Sequence, residues 1–113
     1  MELTEKDKKV KKETERLRKL FKDLDANKLK TVDALIARAA FITVSLQELE
    51  EQLNRDGWVE EYQNGRNQCG LKKSAAAEVH IGLTKNLNAI MKQLLDLVPA
   101  TQKESRLAAM MNE

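Results

Sequence analysis

Apolar side chains recur at helical intervals along most of this chain. Val10, Leu17, Leu20, Phe21 and Leu24 form a narrow stripe at spacings of seven, three and four on an otherwise charged segment. Thr4 followed by Asp7 supplies an N-cap pair, which predicts a first helix over about residues 4–25 that breaks at Asp25-Ala26-Asn27. A second helix is predicted over about residues 30–55, carrying Val32, Leu35, Ile36, Ala39, Ala40, Ile42, Thr43, Leu46, Leu49 and Leu53. Its first half is apolar nearly all round, as suits a central helix contacted on several sides. Its second half narrows to an amphipathic pattern with an acidic face, and Gly57 is its stop signal.

The periodicity then changes. Trp58–Tyr62 alternates with β-favouring residues, Asn64-Gly65 is a strong hairpin signal, and Gln68–Lys72 reads as the returning strand. The pattern predicts a small hairpin over about residues 58–72. An isolated two-stranded ribbon is marginal in water, so Trp58, Tyr62 or Leu71 is expected to lean on a helix or on a neighbouring subunit. Ser74 caps a third helix over about residues 74–98, striped by Val79, Leu83, Leu87, Ile90, Leu94, Leu95, Leu97 and Val98 and ended by Pro99. The fold class expected is mainly α, with three principal helices and a hairpin inserted between the second and third. Residues 1–100 form one helical domain and residues 101–113 a tail, either a short helix around Arg106–Met111 or a segment that orders on a partner. Met110-Met111 is the candidate apolar anchor of that tail.

With 113 residues and 4% aromatics, a monomer would be thinly cored, so an oligomer that shares its core is expected. A net charge of +2 conceals segregation. Residues 1–30 carry 11 Lys/Arg against 7 Asp/Glu, residues 31–62 carry 2 against 7, and residues 63–113 carry 7 against 4. Such a chain can offer one face to a polyanion and another to a basic partner or to its own neighbour. A single cysteine cannot form an internal disulfide, the start MELTEKDKKVKK has no apolar signal region, and the run at residues 34–46 is interrupted by Arg38 and too short to span a bilayer. These features predict a soluble intracellular protein with no membrane association.

Catalytic parts are not evident. Cys69 and the only histidine, His80, are a conceivable nucleophile pair, but they read more simply as a small strand residue and a partly exposed helix residue. No metal-ligand spacing, phosphate loop or cofactor motif occurs, and the acidic pairs Glu50-Glu51 and Glu60-Glu61 point different ways along their elements. No catalytic residue, metal or cofactor is therefore expected. What remains is a binding surface. Lys8, Lys9, Lys11, Lys12, Arg16, Arg18, Lys19 and Lys22 are the candidate phosphate contacts, with Arg66, Lys72 and Lys73 as a second small group. Glu13 and Glu15 are placed to make helix-stabilising pairs with those lysines instead. The oligomer-interface candidates are Trp58, Tyr62 and Leu71 of the hairpin, with Glu48 and Glu51 (beside Glu50) on the acidic end of the second helix.

The order of these pieces resembles the small subunit of phage terminases. An apolar helix ending in Glu48–Leu53 leads into Asp56-Gly57-Trp58-Val59, then Tyr62-Gln63-Asn64-Gly65 and Asn67-Gln68. Lys72-Lys73-Ser74 and a helix running through Asn86 to Pro99 follow. The resemblance spans residues 14–100 and is most specific at Val59–Gln68, Lys72–Ser74 and Asn86–Pro99. It implies a DNA-packaging component of a tailed phage or prophage, working in the cytoplasm of the bacterial host. Such a subunit assembles as a homo-oligomer, commonly a ring, recognises the packaging start site on double-stranded viral DNA, and recruits the large ATPase-nuclease subunit. A helix-turn-helix, which some small subunits carry, is not recognisable at this N-terminus. The first helix is left as an electrostatic arm, and the tail as the candidate contact for the large subunit. The alternative is a helical oligomeric adaptor or scaffold that binds only proteins.

Overall fold

Thr4 opens the first helix with a reciprocal cap. Its hydroxyl accepts the Asp7 N–H at 3.0 Å while the Asp7 carboxylate accepts the Thr4 N–H at 3.1 Å. In this computed structural model, which describes residues 3–98 and 108–111, helix α1 spans Glu5–Leu20. It ends earlier than the stripe predicted, in a turn where the Phe21 N–H reaches the Arg18 carbonyl and the Leu24 N–H reaches the Phe21 carbonyl.

The expected break at residues 25–27 is instead the start of α2, Ala26–Asp56. Asp25 has the extended backbone of an N-cap, and its carboxylate accepts the Lys28 N–H at 2.9 Å. A capping aspartate and a loop aspartate look alike until the following residues turn, so the second helix begins earlier than predicted. Gly57 ends it at φ 95°, a left-handed conformation that a Cβ would strain, with its N–H on the Leu53 carbonyl at 2.7 Å.

Strands β1 (Val59–Gln63) and β2 (Cys69–Lys73) pair antiparallel, Gln63 opposite Cys69 and Val59 opposite Lys73. Asn64-Gly65 therefore lies within a loop over residues 64–68 rather than forming the whole turn, with Gly65 at φ 80°. Ser74 then caps α3, Ala75–Asp96, by accepting the Ala77 N–H at 3.1 Å. Pro99, the predicted terminator, lies outside the described residues.

Helices α1 and α3 both pack against α2, which is the central element. Ion pairs at the two ends of α1, Lys6–Glu48 and Arg18–Asp33, each 3.0 Å, show that α1 runs antiparallel to α2. The core joins Leu17 and Phe21 of the first segment to Val32, Ile36, Ala39, Ala40, Ile42 and Leu46 of α2, and to Ile90, Leu94 and Val98 of the third. Burying each of the larger of these side chains contributes about 1.5–3 kcal/mol. Residues 108–111 form a helical turn whose Met110 is buried in the same cluster. Val79, expected in the stripe of α3, is instead 52% exposed, because at about 100° per residue it falls on the face opposite Ala77, which is buried.

The chain is not compact. Its radius of gyration is 18.2 Å, where a compact chain of this length would have about 13 Å. Its accessible surface is 8360 Å², against about 6,300 Å² for a typical monomer of this mass. No helix among the described residues is long and apolar enough to cross a membrane.

Candidate nucleic-acid interface

Helix geometry sorts the cations of α1. At about 100° per residue, Lys9, Lys12, Arg16 and Lys19 fall within one arc of about 80°, and Lys8, Lys11 and Arg18 within the next. The first set lines a shallow groove with Glu13 and Glu15, floored on the α2 side by Val44 and Gln47. Lys9, Lys12 and Lys19 are exposed and enter no ion pair among the described residues. Arg16 is held: it donates to Glu13 at 2.6 Å and to the Ala109 carbonyl at 3.3 Å.

The second set is partly engaged. Lys8 reaches Glu5 at 3.5 Å and Arg18 reaches Asp33 at 3.0 Å, while Lys11, and Lys22 in the turn beyond α1, are exposed. Exposed pairs of this kind contribute about 0–1 kcal/mol, so a phosphate can displace them. Glu13 and Glu15 do sit among the lysines as expected, but among the described residues only Glu13 is in an ion pair, and that pair is with Arg16 rather than with a lysine.

Arg66, Lys72 and Lys73 are not brought together. Arg66 is in the loop at the tip of the ribbon, and Lys72 and Lys73 are at its base, roughly 17 Å away along a five-residue strand. Lys72 lies across from Glu60 at 3.5 Å, and Lys73 projects from the opposite face.

The hairpin is exposed along nearly its whole length. Leu71 is 68% exposed, whereas Tyr62 lies over Gly70, where a Cβ would stand 3.2 Å from its ring. Trp58 meets the His80 ring edge-on with centroids 5.3 Å apart, and His80 Nε2 is 3.0 Å from Glu50 Oε2. This cluster ties the hairpin base to both α2 and α3, and sequence reasoning missed it. Thirty residues separate Glu50 from His80, and no local pattern signals a contact at that range.

The acidic end of α2 is less available than expected. Glu48 is bound by Lys6, which also donates to Ser45 at 2.9 Å and sits 4.4 Å above the Phe41 ring, and Glu50 is bound by His80. Glu51 is exposed. Cys69, at the tip-side end of β2, and His80, at the hairpin base, are not in contact, and the exposed thiol has Gln63 opposite it. Among the described residues no group of three or more His, Cys, Asp or Glu could hold a metal ion. A second open groove, lined by Ala34, Ala37, Arg38, Phe41 and Ile42 of α2 with Leu83 and Asn86 of α3, leaves Phe41 53% exposed.

The arrangement offers an open cationic groove along one helix and a free ribbon at one end. No protein-family model, curated protein or solved structure matches this chain.

Proposed function

We propose that this chain is the small subunit of a phage or prophage terminase. As a homo-oligomer it binds double-stranded DNA at the packaging start site and recruits the large ATPase-nuclease subunit in the cytoplasm of the bacterial host. The observation that carries the DNA-binding part is the open groove of Lys9, Lys12 and Lys19 beside Arg16, three exposed ammonium groups that enter no ion pair among the described residues, on one side of α1. Such a surface contacts phosphates and supplies affinity without reading sequence. Its accessible area, about 2,000 Å² above that typical of a monomer of this mass, supports the oligomer. The packaging role rests on the resemblance of residues 14–100. The large subunit's contact moves away from Met110, whose side chain is already in the chain's own core, toward the exposed Met111.

Replacing Lys9, Lys12 and Lys19 together with Ala should weaken duplex binding on any sequence. It should also lower the slope of log affinity against log salt by about one for each phosphate left without its lysine. The triple variant should weaken binding more than Lys8 and Lys11 replaced together, because Lys8 already spends part of its charge on Glu5. Unchanged affinity in the triple variant removes α1 from the DNA surface. The ion pairs that α1 makes within the chain favour a second reading, a helical adaptor that binds only proteins. That reading is distinguished by a defined oligomer that binds no duplex DNA at low salt.

A further inference from the structure

The ribbon has two free edges of opposite charge. The Ser74 N–H bonds the Trp58 carbonyl at 3.0 Å and the Asn64 N–H bonds the Gln68 carbonyl at 2.6 Å. Alternation of an antiparallel ladder then assigns residues 60 and 62 inward bonds with 72 and 70. The N–H and C=O groups of Val59, Glu61 and Gln63 on one edge, and of Cys69, Leu71 and Lys73 on the other, are left pointing outward. Val59 and Leu71 are 56% and 68% exposed beside them. The β1 edge carries Glu60 and Glu61, and the β2 edge carries Lys72 and Lys73.

We infer that β1 of one copy pairs antiparallel with β2 of the next copy, head to tail, so that the ribbons join into one continuous sheet. This inference rests on the oligomeric part of the proposed function and specifies its contact. Charge selects the polarity. Two-fold pairing of like edges would set acids against acids or lysines against lysines, which is destabilising. Pairing of unlike edges places Glu60, already 3.5 Å from its own Lys72, beside a second Lys72 as well. The new bonds satisfy the outward backbone groups and give Val59 and Leu71 cross-strand neighbours on both sides. A head-to-tail contact of this kind propagates until it closes, which makes rings its natural product.

The test measures solution mass by sedimentation and duplex affinity separately, on the full chain. Glu61→Pro removes an outward N–H and leaves every inward bond in place. It should reduce the assembly to the 12.9 kDa protomer while leaving helical circular dichroism and Trp58 emission unchanged. The double variants E60K/E61K and K72E/K73E should each dissociate. Their equimolar mixture should reassemble, and so should the fourfold exchange, which restores opposite edges. A wild-type assembly that survives Glu61→Pro, or a fourfold variant as dissociated as the doubles, overturns ribbon pairing while leaving the oligomer reading intact. A wild type that is a protomer at every concentration overturns both.

Discussion

Leu17 has no solvent exposure and is the one fully buried residue of α1, packed in the core with Phe21 and flanked by the partly buried Val10 and Leu20. Replacing Leu17 with Ala should therefore cost about 2–5 kcal/mol, the usual range for a truncated core leucine, seen as a lower urea midpoint. His80 acts differently. Its ring is the contact between Trp58 and the helices, so His80→Ala should free the indole without unfolding α3. As the chain has one tryptophan, the emission of Trp58 reports this directly and should shift to the red with helical circular dichroism retained. Unshifted emission would mean that the backbone at the hairpin base alone holds the indole in place.

Among the elements, the helices depend on short polar signals at their starts. Thr4, Asp25 and Ser74 each accept a backbone N–H three residues on, from Asp7, Lys28 and Ala77. Two of these are legible in the sequence, since Thr4 and Ser74 stand beside obvious helical periods. Asp25 reads as a break because it follows the Phe21–Leu24 segment, and a carboxylate at a boundary serves a loop and a cap equally well by type. Asp25→Ala should cost about 1 kcal/mol and fray the first turn of α2, measured as faster amide exchange near Lys28. The hairpin is legible from alternation and from Asn64-Gly65. Its loop length is not, because the register depends on which residues pair across the ribbon, and the pairs Gln63–Cys69 and Tyr62–Gly70 settle that.

At the scale of the whole molecule, a central α2 with a helix on each side leaves both a basic groove and a two-edged ribbon open to solvent. The molecule is extended, with axes of 63 × 38 × 23 Å, and the strands of its ribbon are exposed along nearly their whole length. The basic residues of the candidate site are legible as a group, but not their division. Lys9, Lys12 and Lys19 enter no ion pair among the described residues, while Arg18 is drawn to Asp33 and Lys6 to Glu48. Those partners lie on a different helix, so only the crossing of α1 over α2 could reveal them. The interface candidates divide in the same way, with Leu71 left open and Glu48 consumed within the chain.

Sequence by itself determined the three helices, the ribbon between the second and third, and the basic character of the first, because periodicity, caps and turn residues act over a few positions along the chain. The tertiary structure decided which lysines face open solvent, which acids are already neutralised, where Met110 goes, and that Trp58 rests on His80. Each of these depends on side chains far apart in sequence meeting across packed helices. Such meetings follow from how α2 is shared between its two neighbours, which no local pattern encodes.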